Sequence, residues 1–208
     1  IINLGIGSPD LAPSPETIKA LIETAEQTSS HGYQSYTGIP ELRKAIRSWM
    51  ASTYGVDFKA ENEILPLMGS KEGIMHISMA FLNPGDTVLV PNPGYPTYTS
   101  VSNLMDADIE FYDLDEKNGW NVDVKRLKEK DLSKVKLLWL NFPHMPTGAQ
   151  ADLDVLQELI TLAKEKEFLI INDNPYSLIL NPTPRSIFNL EGAKEVCLEL
   201  NSLSKSHN

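Results

Sequence analysis

The sequence is poor in cysteine, in positive charge and in long apolar runs. Its 208 residues include a single cysteine, Cys197, which excludes an intramolecular disulfide and fits a reducing compartment. Lysine and arginine number 18 against 28 acidic residues, and the net charge of -10 argues against a broad nucleic-acid or anionic-membrane surface. No apolar run is long enough to span a bilayer, and no signal peptide is recognisable. We therefore expect a cytoplasmic protein with neither nucleic-acid nor membrane partners.

The overall composition is that of a globular protein. Hydrophobic residues make up 41% and charged residues 22%, and a chain of this length can bury a sizeable core. The chain starts at Ile1 rather than at a methionine and stops at Asn208, so we expect a piece of a longer protein. We find no internal repeat and no clear linker. We expect residues 30–208 to form one large domain, with residues 1–29 as a segment leading into it.

Apolar, strand-like runs alternate with amphipathic helices along most of the chain. Helices are predicted to begin at Pro15, at Pro40, after Gly69 and after Asp152, because a capping residue or a proline precedes apolar residues at helical spacing. Nearly continuous apolar strands between such helices indicate an α/β protein, with a mostly parallel sheet covered on both faces. The ligand site of such a sheet lies beyond the carboxyl ends of its strands. The strand candidates are 64–68, 87–90, 109–112, 135–140, 168–171 and 196–200.

Two loops that follow strand candidates carry groups suited to a flat, phosphorylated ligand. Ser70 and Lys71 open a helix after Gly69, and the free N–H groups and dipole of a helix start suit a phosphate. Simple helix capping is the alternative. Tyr95 and Tyr98 project from a loop fixed by prolines and a glycine, where they either stack on a flat ligand or pack as in an ordinary turn.

Further polar residues follow the last two strand candidates. Asp173 comes after the apolar run 168–171, so it either needs a cationic or hydrogen-bonding partner or caps the next turn. Tyr176 lies three residues further on and could reach the same ligand. Lys205 follows Ser202 after the last strand, and is either a solvated surface lysine or one that forms a Schiff base. Together these groups match pyridoxal phosphate held on Lys205, and they predict no metal site.

A series of short motifs gives the chain a family resemblance. The motifs, in order, are Tyr33 five residues before Gly38-Ile39-Pro40-Glu41-Leu42-Arg43, then Pro93-Gly94-Tyr95-Pro96, Pro146-Thr147-Gly148, Asp173-x-x-Tyr176 and Ser202-x-Ser204-Lys205. Over essentially its whole length the chain resembles class I/II aminotransferases, the fold-type-I pyridoxal-phosphate enzymes. Within them it is most similar to the aspartate and LL-diaminopimelate aminotransferase-like branch. The resemblance implies a three-layer sandwich around a predominantly seven-stranded sheet, and a homodimer.

The resemblance implies roles for the residues around the cofactor ring. Lys205 would be the Schiff-base lysine and would move the proton between Cα and the cofactor. Asp173 would pair with the pyridinium nitrogen, and Tyr176 would hydrogen-bond the phenolic oxygen. Tyr95 would stack on the ring.

The same resemblance implies roles at the phosphate and at the substrate. Ser70, Ser202 and the backbone N–H of Lys71 would hold the phosphate. Tyr33 would reach the phosphate of the neighbouring subunit, and Gly7 would lie near the substrate carboxylate.

Two features depart from the family pattern. Met145 stands before Pro146, where the family usually has an asparagine that hydrogen-bonds the phenolic oxygen. Since a thioether is a weak acceptor and cannot donate, we expect Tyr176 alone to hold that oxygen, with either a modest effect or a shifted reaction. The family's phosphate-binding and substrate-binding arginines would lie past Asn208. We therefore expect the 208-residue piece alone to bind cofactor weakly and to have little transaminase activity.

The leading functional hypothesis is an aminotransferase of amino-acid biosynthesis. It would move an amino group from an amino acid to a 2-oxo acid in a ping-pong cycle. Two alternatives stay open: a lyase or synthase on the same fold, such as a carbon–sulfur lyase, and the ligand-sensing domain of a transcription regulator. A nicotinamide-dependent dehydrogenase is poorly supported, because no G-x-G-x-x-G follows a strand and opens a helix.

Overall fold

The computed structural model describes residues 7–207, which contain seven α-helices and one parallel β-sheet. The α-helices are α1 Pro15–Ala25, α2 Pro40–Tyr54, α3 Ser70–Phe81, α4 Pro96–Leu104, α5 Val124–Lys128, α6 Leu153–Lys166 and α7 Ala193–Val196. The strands are β1 Thr87–Asn92, β2 Asp108–Asp113, β3 Val135–Leu140, β4 Leu169–Asn174 and β5 Cys197–Asn201. Short 3-10 helices lie at Thr28–His31, Glu116–Asn118 and Ile187–Asn189.

Two compact units divide the chain, one made of residues 1–66 with 203–208 and the other of residues 67–202. In the first unit, Ser14 caps α1 by accepting a hydrogen bond from the backbone N–H of Thr17 at 3.3 Å. Proline follows that cap as the first helical residue, as predicted. Helix α2 also starts on a proline, and it ends at Gly55, whose φ of 69° is the left-handed conformation that glycine adopts without strain.

The second unit contains the whole described sheet. Its strand order is β2-β1-β3-β4-β5 and every neighbouring pair is parallel. Successive side chains of β3 point to opposite faces, so Leu138 and Leu140 belong to one core cluster, and Leu137 and Trp139 belong to the other. Helices α5, α6 and α7 supply the first cluster, and α3 and α4 supply the second. The predicted layered α/β fold with a parallel sheet is therefore confirmed.

The details of the sheet differ from the sequence-based expectation. Five strands occur among the described residues, whereas the family resemblance implied about seven. The expected extended run 64–68 joins no strand, and its central residue, Pro66, has no N–H to donate to a ladder. The strand-like start at Ile1 lies outside the described residues. Among residues 7–207, no helix is both long enough and apolar enough to cross a bilayer.

Beside β4, the middle of β5 carries an acidic group in a polar setting. The carboxylate of Glu199 accepts hydrogen bonds from the backbone N–H of Ile187 at 2.9 Å, from the Asn172 amide at 3.1 Å and from the Asn201 amide at 3.2 Å. Burial raises the pKa of Glu199, and these donors oppose that effect. The neighbouring Cys197 is buried, which raises the pKa of its thiol to about 12.

Candidate active site

The carboxyl end of β4 places an acidic side chain where an α/β sheet binds its ligands. Asp173 is the penultimate residue of β4 and is only 4% exposed. Its Oδ2 accepts a hydrogen bond of 2.8 Å from the hydroxyl of Tyr98, while its Oδ1 has no hydrogen-bond partner among the described residues. Burial raises the pKa of Asp173 to about 6, and the Tyr98 hydrogen bond acts in the opposite direction. A buried carboxylate with one unpaired oxygen is suited to a cationic N–H donor.

Tyr98 is held in the first turn of α4 by aromatic contacts. Its ring stacks on that of Trp139 in β3, with centroids 5.0 Å apart and planes inclined by 6°. The ring of Tyr95 meets it edge-on, at a centroid distance of 5.6 Å. Tyr98 is completely buried, and burial together with the charge of Asp173 raises the pKa of its phenol well above the ordinary value.

Tyr95 lies between this buried cluster and the start of α3. The Lys71 ammonium is 5.7 Å from the centroid of the Tyr95 ring. Burial alone would raise the pKa of Tyr95, but hydrogen bonds with Thr97 and Lys71 and the charge of Lys71 outweigh it, and the pKa is lowered. Ser70 is the first residue of α3 and follows Gly69, which has no side chain to cap the helix. The φ of 126° at Gly69 is a conformation that other residues rarely adopt.

The loop after β3 is tied to the end of β4 by an asparagine. The amide of Asn141 donates to the backbone carbonyl of Asp173 at 2.7 Å, and its oxygen accepts from the backbone N–H of Met145 at 2.9 Å. The peptide before the Pro-Thr-Gly motif is therefore fixed relative to the acidic residue.

His144 joins the same loop to the loop that carries Tyr95. Its Nε2 is 3.1 Å from the carbonyl oxygen of Pro93, and its Nδ1 is 2.8 Å from Oγ1 of Thr147. A carbonyl only accepts, so Nε2 carries the proton and Nδ1 accepts from the threonine hydroxyl. Burial lowers the pKa of His144, which favours this neutral tautomer.

Tyr176 and Ser202 follow β4 and β5 respectively, and both are half-buried. Burial, and then the charge of Asp173, raise the pKa of the Tyr176 phenol. Tyr176 also interacts electrostatically with Tyr95. The second unit thus brings Lys71, Tyr95, Asp173 and Tyr176 into one interacting group.

The remaining predicted site residues belong to the first unit. The half-buried Lys205 donates a hydrogen bond from Nζ to the backbone carbonyl of Gly7. These two residues are 198 positions apart in sequence. Lys205 was predicted to be the Schiff-base lysine, and Gly7 was predicted to lie near the substrate carboxylate. Tyr33 is 94% exposed.

Asn141 and His144 were not predicted to have site roles, and Tyr98 was expected either to stack on a flat ligand or to pack in a turn, not to bond Asp173. Each has a signal in the sequence. Tyr98 lies about one helical turn after Tyr95, Asn141 is the first residue after an apolar strand, and His144 is an ionisable residue beside the Pro-Thr-Gly motif. None of these signals specifies the partner.

Comparisons with known proteins agree on one family. The family model for aminotransferase class I and II matches residues 1–208. The LL-diaminopimelate aminotransferases of Dehalococcoides mccartyi and Aquifex aeolicus are 42% and 38% identical to the chain. Each alignment covers 100% of this chain and 54% of the relative. The chain therefore spans about half the length of the curated relatives it matches.

Solved structures give the same result. Substrate-bound BacF from Bacillus subtilis matches with a TM-score of 0.96 and 39% identity, covering 100% of this chain and 53% of that one. A probable N-succinyldiaminopimelate aminotransferase from Thermus thermophilus matches with a TM-score of 0.90 and 36% identity, covering 100% and 56%. These matches agree with the sequence motifs and with the parallel sheet and its polar carboxyl edge. The chain belongs to the aminotransferase class I and II family.

Proposed function

We propose that the protein is a pyridoxal-phosphate-dependent aminotransferase that transfers an amino group between an amino acid and a 2-oxo acid. The observation that carries this proposal is the unpaired, buried Oδ1 of Asp173. An ionised carboxylate in that position is costly unless a cation or a strong donor meets it. The protonated ring nitrogen of pyridoxal phosphate is such a donor, so the residue fits the cofactor that the family uses.

The residues around Asp173 fit the remainder of the cofactor. The half-buried ring of Tyr95 offers a flat face beside the carboxylate, and Tyr176 offers a phenol that interacts with the same carboxylate. The first turn of the 12-residue helix α3 offers backbone N–H groups at Ser70 and Lys71. We assign the phosphate to this helix start and to Ser202, and we assign residues 30–208 to the cofactor-binding domain.

The chemistry follows from what each side chain does. Bound pyridoxal phosphate would act as an electron sink for the bond electrons released when a proton leaves the amino acid Cα. Asp173 holds the ring nitrogen in its protonated form by supplying a nearby negative charge. Lys205 would provide the amine that holds the cofactor aldehyde, and would carry the proton that leaves the substrate Cα. Tyr176 would donate to the phenolic oxygen without help from Met145, whose thioether cannot donate.

Substrate and assembly are the remaining parts of the proposal. Relatives named LL-diaminopimelate aminotransferase support an amino-acid biosynthetic reaction, with Gly7 beside the substrate carboxylate. A homodimer is proposed because Tyr33 is almost fully exposed, and Leu21 and Ile22 of α1 are 65% and 52% exposed. A cytoplasmic location is proposed because a single cysteine fits a reducing compartment. In that homodimer, Tyr33 would reach the phosphate of the neighbouring subunit.

Absorbance spectroscopy with chemical trapping tests this function. The protein is incubated with pyridoxal phosphate, reduced with borohydride and mapped by peptide mass spectrometry. We expect a new visible absorption band and a phosphopyridoxyl group on Lys205. Lys205→Arg should abolish both, whereas Lys125→Arg, at an exposed position of α5, should leave both unchanged. Modification scattered over surface lysines, without a band, would overturn the proposal. Because the chain spans about half the length of its relatives, release of a 2-oxo acid from amino-acid donors is then measured on a full-length protein that contains it.

A further inference from the structure

Within residues 7–207, one hydrogen bond orients the Asp173 side chain. The Tyr98 hydroxyl donates to Oδ2 at 2.8 Å, and both residues are buried. Oδ1 is left without a partner among the described residues. Because only one oxygen is engaged, rotation about χ2 of Asp173 would exchange the two oxygens if Tyr98 were absent. The phenol therefore sets the plane of the carboxylate, and with it the direction in which the second oxygen points.

Tyr98 itself is fixed from two sides. Its ring is stacked on Trp139 in β3 and is in edge contact with Tyr95. Its backbone is held in α4, where its carbonyl accepts a hydrogen bond from the Ser102 hydroxyl at 2.8 Å. A donor on a rigid ring gives the acceptor a defined direction at little entropic cost.

The backbone of Asp173 is fixed separately from its side chain. The ladder of β4 pairs Asp173 with Leu200 of β5, and the Asn141 amide donates to the Asp173 carbonyl at 2.7 Å. These contacts place the backbone and do not involve the carboxylate, whose hydrogen-bond donor among the described residues is Tyr98. The orientation of the carboxylate consequently depends on Tyr98.

We propose that Tyr98 is a positioning residue for the cofactor: its phenol holds Oδ2 of Asp173, favours the ionised carboxylate and directs Oδ1 toward a protonated ring nitrogen. The identity of that nitrogen rests on the proposed function. The orienting and ionising effects on Asp173 do not, because they exist in the cofactor-free protein.

The groups that face the carboxylate explain why one phenol has a measurable effect. They are the phenols of Tyr98 on α4, Tyr95 before α4 and Tyr176 after β4. The Lys71 ammonium on α3 interacts with Tyr95. Burial raises the pKa of Asp173, and the Tyr98 hydrogen bond is the effect that lowers it.

Tyr98→Phe tests the proposal because it keeps the stacked ring and removes only the hydroxyl. The pKa of Asp173 is read from carboxyl ¹³C chemical shifts in a pH titration of the cofactor-free protein. A hydrogen bond to a charged group is strong enough to change the ionisation constant about tenfold, so the pKa should rise by about one unit. The matched control is Tyr112→Phe, which removes another buried phenol whose donor bond of 2.6 Å goes to the Trp139 carbonyl. The control should leave the Asp173 titration unchanged, and an equal titration in both variants would overturn the proposal.

The unsubstituted protein provides a second test that does not depend on a variant folding. The ¹³Cζ resonance of Tyr98 should change with the same midpoint as the Asp173 carboxyl, because the donor senses the charge of its acceptor. The Tyr112 resonance should show no such step. If the Tyr98 resonance is flat across the Asp173 titration, the two groups are not coupled and the proposal is wrong.

Cofactor binding separates this inference from the proposed function. If pyridoxal phosphate binds, Tyr98→Phe should weaken its affinity about twofold at pH 7 and about fivefold at pH 6, because the raised pKa leaves less of Asp173 ionised, whereas Tyr112→Phe should not. If no variant binds pyridoxal phosphate but Tyr98→Phe still shifts the Asp173 titration, the proposed function fails and the positioning role stands. If pyridoxal phosphate binds and the titration does not move, the positioning role fails and the proposed function stands.

Discussion

Replacing Asp173 with asparagine should stabilise the cofactor-free protein at alkaline pH and have progressively less effect as the pH falls. Burial raises the pKa of Asp173 from the ordinary 3.8 to about 6, so the folded protein binds this proton more tightly than the unfolded chain does. A carboxyl group of this kind destabilises the fold once it is ionised. The penalty grows as the pH rises from about 4 and is complete above about pH 7. The asparagine side chain carries no charge, and its amide oxygen can still accept the Tyr98 hydrogen bond.

The size of the effect follows from the two pKa values. Going from 3.8 to about 6 is a difference of about 2.2 pH units, which at about 1.4 kcal/mol per unit is a penalty of about 3 kcal/mol at pH 8. At pH 5 the folded group is mostly protonated, and the penalty falls to about 1.6 kcal/mol. Between pH 5 and pH 8 the difference in unfolding free energy between Asp173→Asn and the parent should therefore grow by about 1.4 kcal/mol.

Urea denaturation followed by circular dichroism measures this difference directly. Both proteins are unfolded at pH 5 and pH 8 without cofactor, and the slopes with urea are compared to confirm that the same surface is exposed. The control is Asp131→Asn, since Asp131 is exposed and a hydrogen bond from the Ser133 backbone lowers the pKa of its carboxyl. That variant should gain no stability at pH 8. Parallel pH profiles for Asp173→Asn and the parent would refute the reasoning that Asp173 is a charge buried at a cost.

Three further outcomes are expected from other parts of the second unit. A Cβ on Gly73 would lie 2.7 Å from side-chain carbons of both Leu67 and Leu200. Gly73→Ala should therefore lower the free energy of unfolding, measured by urea titration, by roughly 1–3 kcal/mol. Adding Leu200→Ala should restore part of that loss. Glu199→Gln should lower the free energy of unfolding by roughly 1–3 kcal/mol at pH 8, because the new amide N–H₂ would face one of the N–H groups that now donate to the carboxylate. Glu199→Asp keeps the negative charge and serves as the comparison. Burial raises the pKa of Cys197 to about 12, so a thiol reagent at pH 8 should modify it only at the rate of unfolding, and fast labelling in native buffer would contradict its burial.

Local chemistry made most of the fold predictable. Ser14 and Asp152 were expected to begin helices, and each accepts backbone N–H hydrogen bonds from the first turn of α1 or α6. The apolar runs that became β1, β3 and β4 are long and uninterrupted, so the alternation of strands and helices pointed to a parallel sheet. The run 64–68 was harder, because a short apolar stretch around a proline has the composition of a strand without its hydrogen-bonding capacity.

The candidate site was predictable one residue at a time and not as pairs. Asp173 and Tyr95 could be named because each lies at or just after the carboxyl end of a strand, and the ends of parallel strands meet at one edge of the sheet. The hydrogen bond between Tyr98 and Asp173 joins residues 75 positions apart. Its existence depends on how α4 packs over Trp139, and that orientation is set by the whole core on one face of the sheet rather than by any spacing in the sequence. The bond from His144 to Pro93 is another contact between loops, set in the same way.

These pairs share a chemical property that bears on ligand binding. The contacts that fix the site around Asp173 come from neutral groups: the Tyr98 phenol, the Asn141 amide and the neutral ring of His144. Neutral contacts hold the loops in place without compensating the negative charge of the carboxylate. A cationic donor that reaches Oδ1 would therefore gain both the unmade hydrogen bond and the uncompensated charge interaction. Binding of such a ligand should raise the melting temperature more above pH 6 than below it, because only the ionised carboxylate attracts the positive charge of the ligand.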